Sequence, residues 1–258
     1  MTFDADLNAC AALVQRADPD RFLSAMAAPV AARRVLFPLY ALNVEVSRAP
    51  WVTQETMIAE MRLQWWRDAL GEIASGQAVR RHEVVTPLAR ILSPEIAAGM
   101  DEMVAVRRWD IYRDPFEDDV HFTRYIEQSA GTLMWATARS LGADRGEVVR
   151  DAGYAAGLAN WLVAVPELEA RGRIPLLDGR PDAVRALAER GLERLARARA
   201  ARVSVPVAAR PALLAAWQAG AILRQAQRDP GAVAAGRLGV GPLRKRLALM
   251  ARAASGQW

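Results

Sequence analysis

The chain has 258 residues, 52% of them hydrophobic and 24% charged, which suffices for a sizeable core in one large domain or two small ones. The formal charge is +5, and the single cysteine, Cys10, excludes an intrachain disulfide and suits a reducing compartment. With only His82 and His121 beside that cysteine, zinc chemistry is not supported, and neither a G-x-x-x-x-G-K-[ST] loop nor a Ser-His-Asp arrangement is present.

Helical punctuation repeats from end to end. The pattern predicts helices near residues 5–17, 19–28, 30–48, 54–75, 95–112, 119–141, 145–165, 181–201, 207–228 and 240–254. Pro19 suits a first helical position, and Pro38, inside an otherwise helical run, is expected to kink it. Thr53 is expected to cap the fourth helix, where Met57, Ile58, Met61, Trp65 and Leu70 recur on one face. Gly76, Gly142 and Gly179 follow periodic runs as helix stops do. The helix that begins near residue 145 is expected to end at Pro166.

Asp110 and Asp114 have D-x-x-x-D spacing, with Glu117, Asp118 and Asp119 close behind. Because Pro115 breaks the run, this acidic stretch reads as a charged helix end followed by an N-cap at Asp118 or Asp119. Arg107, Arg108 and Arg113 are expected to pair with these acids on the helix surface.

No alternating run suggests strands and no long linker divides the chain, so residues 1–258 read as one all-α domain. No apolar stretch reaches the ~20 residues of a membrane span. Met1 to Asp6 is acidic rather than basic-then-apolar, so no signal peptide is expected and a cytoplasmic location follows. Residues 181–258 carry 14 basic and 4 acidic residues, and Pro242 to Met250 reads as a short basic amphipathic helix. Its functional reading is a peripheral contact with an anionic membrane surface or an acidic protein; the alternative is a solvated, arginine-rich face. No nucleic-acid-binding module accompanies the charge, so nucleic acid is not an expected partner.

Two stretches carry the functional argument. Gly157 to Leu176 reads G-L-A-N-W-L-V-A-V-P-E-L-E-A-R-G-R-I-P-L, and Pro29 to Trp51 reads P-V-A-A-R-R-V-L-F-P-L-Y-A-L-N-V-E-V-S-R-A-P-W. Both resemble signatures of the squalene/phytoene synthase family, whose active members join two prenyl diphosphates head to head. In the second signature Asn160, Leu162, Glu167, Arg171, Gly172, Arg173, Ile174 and Leu176 match; in the first, Arg33, Arg34, Tyr40 and Ala41 hold the frame. The aspartates of the family fall on Ser47, Arg48 and Trp51 and on Ala164 and Leu168. Its phosphate-facing arginine falls on Val44, and a diphosphate-facing glutamine and arginine fall on Gly157 and Val163.

That loss bears directly on chemistry. Magnesium takes oxygen ligands and is held by carboxylates together with substrate phosphates. Aspartates at i and i+4 share one helix face, and two such helices clamp a diphosphate leaving group. Alanine, leucine, serine and tryptophan supply no strong ligand for it.

Asn43-Val44-Glu45-Val46 and Met61-Arg62-Leu63-Gln64-Trp65-Trp66 further resemble a divergent branch of the family that contains the mitochondrial respiratory complex I assembly factor and also lacks the aspartate pairs. Taken together, the resemblance implies an isoprenoid synthase-type helical bundle around a central cavity, without catalysis and without magnesium. It implies action through protein partners, a complex I subunit or assembly intermediate among them, in the cytoplasm or peripherally at the inner membrane. Tyr40, Asn160, Arg171 and Arg173 are the inherited substrate-facing positions. Two further readings stay open: a prenyltransferase holding diphosphate through Arg48, Arg171 and Arg173, and an isoprenoid or lipid carrier using the cavity. Trp65 and Trp66 occupy a segment that helps wall the cavity in active members, although an adjacent pair at helical spacing reads more simply as core packing.

Overall fold

Short polar side chains set where the first helices begin. In the computed structural model, which describes residues 4–258, the Asp4 carboxylate accepts the Leu7 amide (2.9 Å) and Asp18 accepts that of Arg21 (2.9 Å). These caps open α1 (Ala5–Ala17) and α2 (Pro19–Ala27), with Pro19 in the first turn as its fixed φ favours. The acidic opening Met1-Thr2-Phe3 lies outside the described residues. Helix α3 (Val30–Arg48) runs through the buried Pro38 as one element.

Helix α4 (Thr56–Ser75) starts two residues later than its pattern suggests and has no side-chain cap. Thr53 does not cap it; its hydroxyl accepts the Glu55 amide (3.1 Å) and so shapes the turn ahead of the helix. Gly76, with φ of 68°, closes α4 in the left-handed conformation. The predicted helix over residues 95–112 is instead broken into α6 (Pro94–Gly99), α7 (Asp101–Ala105) and a 3-10 turn, Val106–Asp110, preceded by a short α5 (Val85–Ile91) that the pattern did not show. Asp118 caps α8 (Asp119–Ile126), accepting the His121 amide (2.7 Å), as expected. A π-helical turn, Glu127–Gly131, joins it to α9 (Thr132–Ser140).

Helix α10 (Glu147–Ala170) does not stop at Pro166. Proline removes one donor, but the flanking Val165 and Leu168 are buried and hold the last turn in place. Gly172 ends the helix instead: its φ is 75°, and the following Arg173 amide donates to the Leu168 carbonyl (2.9 Å). Then come α11 (Pro181–Ala200), α12 (Arg210–Leu213), α13 (Ala219–Arg228), the short α14 (Gly231–Ala234) and α15 (Pro242–Ser255). There is no strand among the described residues.

Two apolar cores lie side by side. One gathers around α10, α11 and α13, the other around α3 and its neighbours α1, α4 and α5; Leu141 and Ala215 pack against both. Trp66 is buried in the second core, edge-on to Trp65 at 4.8 Å, and both rings meet His82. The pair therefore packs and does not wall the central cavity, which lies between α3 and α10. Among the described residues no helix is long and apolar enough to cross a membrane.

Candidate functional site

Helix periodicity brings the two signature stretches face to face. On α10, Gly157, Asn160, Ala164 and Leu168 recur every three or four residues and line one wall of the cavity; Asn43 and Ser47 line the opposite wall from α3. Trp51 completes that wall just past the end of α3. Of the five positions where the resemblance puts aspartates, four therefore meet at one place: Ser47, Trp51, Ala164 and Leu168. The fifth, Arg48, points away, is exposed and pairs with Glu45 (3.3 Å). Tyr40 lies deeper in the α3 core, with the Arg21 guanidinium over its ring at 5.2 Å, and burial pushes its phenol up to about 12.

The cavity holds carboxylates that the sequence pattern did not assign to it. Asp110, read as a surface acid at a helix end, is only 3% exposed and faces the cavity. The Tyr125 hydroxyl donates to both its oxygens (2.8 and 3.0 Å), and Arg107 donates to the same carboxylate (3.3 Å) and to the Tyr125 oxygen (2.8 Å). Burial raises the Asp110 carboxyl above its ordinary value against the pull of Arg107, and burial raises the Tyr125 phenol well above its own. Arg108 pairs instead with Glu60 (2.9 Å), so the expected row of surface pairs does not form. The second cavity carboxylate, Asp18, is occupied by the Arg21 amide and the Arg21 guanidinium (3.3 Å).

The donor set is a poor match to a magnesium cluster. Each cavity carboxylate is already held by its own arginine, and the described residues contain no group of three His, Cys, Asp or Glu side chains placed to bind a metal. The α10 wall is also tightly packed. A Cβ on Gly157 would lie 2.4 Å from the Cβ of Ala130, and one on Gly153 would lie 2.9 Å from the Cα of Gly131. Helix α10 thus meets the π turn at backbone distance at Gly153 and lies against the Ala130 and Ile126 side chains at Gly157, where the resemblance puts a diphosphate-facing glutamine. Trp109, Phe116, Tyr125 and Trp161 interlock beside it, with Trp109 stacked on Phe116 at 4.1 Å. What remains is a cavity of about 260 Å³ lined by polar and apolar groups in about equal measure. Small-molecule pockets typically run from about 300 to 1,000 Å³ and are mostly apolar.

Arg171 and Arg173 sit on the far side of Trp51. Their guanidinium groups lie 4.8 and 5.0 Å from its ring centre, and with Arg113 they line a separate outer cleft of about 640 Å³. Arg173 is buried, donates to the Asp110 and Ile111 carbonyls, and has its pKa lowered by burial and by Arg113. Its contacts tie the second signature to the Asp110 turn. The indole of Trp51 walls off these arginines from the cavity that Asn160 faces.

The geometry agrees with comparisons to known proteins. The squalene/phytoene synthase family model matches residues 14–176. The Drosophila melanogaster "NADH dehydrogenase (ubiquinone) complex I, assembly factor 6 homolog" is 30% identical over 179 residues, covering 65% of this chain and 53% of that protein. The Bos taurus "NADH dehydrogenase (ubiquinone) complex I, assembly factor 6" is 25% identical over 182 residues, covering 64% and 51%. The matched stretch spans about half the length of these curated relatives. Among solved structures, a ligand-bound dehydrosqualene synthase superposes with a TM-score of 0.80 at 17% identity, covering 97% of this chain and 95% of that one. The all-α bundle is therefore the helical prenyl synthase fold.

Proposed function

The chain belongs to the squalene/phytoene synthase family, and from that premise we propose that it is a non-catalytic member that works through protein partners in the assembly of respiratory complex I. One observation carries the reading: the four inward positions that answer to the two metal half-sites are Ser47, Trp51, Ala164 and Leu168, and the charged groups left in the cavity are paired with one another. Such a cavity has neither the ligands to hold magnesium nor free cations to receive a diphosphate. Its small volume, about 260 Å³, also disfavours the carrier reading, since ligand pockets typically run from about 300 to 1,000 Å³. The names of the relatives in fly and cow supply the process, and a location at the inner membrane, reached peripherally, belongs to the same proposal.

Two measurements test it. Incubation with farnesyl or geranylgeranyl diphosphate and magnesium should release no pyrophosphate; turnover would overturn the non-catalytic part. Deletion in the cell of origin should lower NADH:ubiquinone oxidoreductase activity while squalene, hopanoid and carotenoid levels stay unchanged. A normal complex with altered isoprenoids would overturn the assembly part.

A further inference from the structure

The second large cleft lies outside the stretch that matches the family model, between α13 and α15, and has a volume of about 600 Å³. Arg224, Arg228, Arg244 and Arg252 line it, and no aspartate or glutamate does. None of these four makes an ion pair or hydrogen bond among the described residues. Several surface arginines elsewhere are paired, as Arg190 is with Asp119 (2.5 Å), Arg197 with Asp151 (3.1 Å) and Arg237 with Asp229 (3.1 Å), whereas here four without an acid share one lining.

The fold presses these like charges together. Behind the cleft Arg199 donates to the Trp258 carbonyl (2.8 Å), and burial, with Arg252 and Arg224 beside it, brings its pKa down to about 10. Burial and then Arg224 lower that of Arg252 as well. Nη1 atoms of Arg199 and Arg224 both approach within 3.3 Å of where a Cβ on Gly220 would stand, so the two guanidinium groups bracket that glycine. An uncompensated cluster of this kind is stabilised by an external anion, and the planar arginine fork matches phosphate oxygens.

The helix that forms the outer wall adds a second, independent feature. Leu249 packs α15 onto Leu214 and Trp217, and Lys245 anchors it to Asp20 (2.7 Å). With that face docked, Leu243, Leu247 and Met250, at i, i+4 and i+7, are 72, 58 and 67% exposed. A free phosphate ion would account for the arginines but not for an apolar stripe beside them. A helix with unpaired arginines flanking exposed leucines and a methionine is suited to lie in the plane of an anionic bilayer.

We propose that the α13–α15 cleft binds the phosphate headgroups of anionic phospholipids, with α15 lying flat on the bilayer and Leu243, Leu247 and Met250 in its interfacial layer. This deepens the membrane-peripheral part of the function proposed above and rests on that part for its setting. Vesicle binding and complex I assembly are separate readouts, so one proposal can fail while the other stands.

The test is sedimentation of the full chain with phosphatidylcholine vesicles and with vesicles of phosphatidylcholine and phosphatidylglycerol. Binding should appear with the anionic vesicles and fall with salt. The Arg224→Gln/Arg252→Gln variant should bind them roughly thirtyfold more weakly. A charge-matched control, Arg180→Gln/Arg190→Gln, removes arginines already paired elsewhere and should change binding by less than about twofold. Because repulsion strains the cluster, the cleft variant should melt no lower than wild type, which separates lost binding from lost folding. The Leu243→Ser/Met250→Ser variant should also lose vesicle binding while its thermal shift with inorganic phosphate stays as in wild type. Wild-type behaviour of either cleft or stripe variant on vesicles would overturn the proposal. So would equal binding to phosphatidylcholine vesicles alone, or a phosphate thermal shift with no binding to the anionic vesicles.

Discussion

Two arginine-bearing regions of this molecule have met opposite fates. In the central cavity, charge is answered from within: Arg107 meets Asp110 and Tyr125, and Arg21 meets Asp18. In the α13–α15 cleft, Arg224, Arg228, Arg244 and Arg252 meet no acid, and burial and neighbouring arginines depress the pKa values of Arg199 and Arg252. A polar group tied to an internal partner gives up little by losing a ligand it no longer needs. A cluster of repelling cations is destabilising until an anion arrives. Satisfaction of the side chains, rather than the presence of arginine, separates a cavity whose charges are paired within the fold from a cleft whose charges are not.

The comparison can be broken at its strongest point first. Asp110→Ala leaves Arg107 buried without its carboxylate and should cost about 3–5 kcal/mol in denaturant unfolding; a loss within the range of ordinary surface changes would mean that the cavity network is not holding the fold. Gly157→Gln forces α10 off Ala130 and should cost about 1–3 kcal/mol, read as a lower Tm. A thermally neutral variant would show that the helix contact yields easily.

A smaller effect should appear with pH. The folded-state pKa of Asp110 is raised, so its contribution is full below the ordinary carboxylate value of about 3.9 and is lost as pH rises through the folded value. The stability of wild type relative to Asp110→Asn should therefore decline across that interval, and a rising difference would contradict the assigned direction. Smallest of all, Arg252→Gln should leave stability no lower than wild type, within about 0.5 kcal/mol, since it relieves repulsion in the cleft. A clear loss would show that Arg252 has a stabilising role in the resting molecule.

Much of the framework was legible because helix signals are local. Asp118 caps where a short acid before an apolar run should, and the bounds of α1 and α3 follow from periodicity alone. Where the pattern misled, distance in sequence was the reason. Proline at 166 is a local stop signal, but burial of Val165 and Leu168 outweighs it, and nothing nearby announces that burial. Thr53 looked like a cap because the α4 start was misplaced by two residues.

The site was half legible. The emptied aspartate positions could be read from motif frames, and the structure brings four of the five together. Asp110 could not, because its partner Tyr125 is fifteen residues away across a loop and a helix start. A usable hint was present: Asp110 sits between Trp109 and Ile111, an apolar setting that suits a buried acid better than a surface one. The arginine excess after residue 180 was visible as composition, yet only folding places α13 against α15 and shows which arginines lack partners.

The close contacts at Gly153 and Gly157 limit how the cavity could be remodelled. Putting aspartates back at 164 and 168 would restore the lettering of a synthase without its geometry, because the glutamine position between the helices is now filled by Ala130 and Ile126. The contact therefore acts as a wedge: any side chain longer than hydrogen at 157 must first move Ala130 and Ile126.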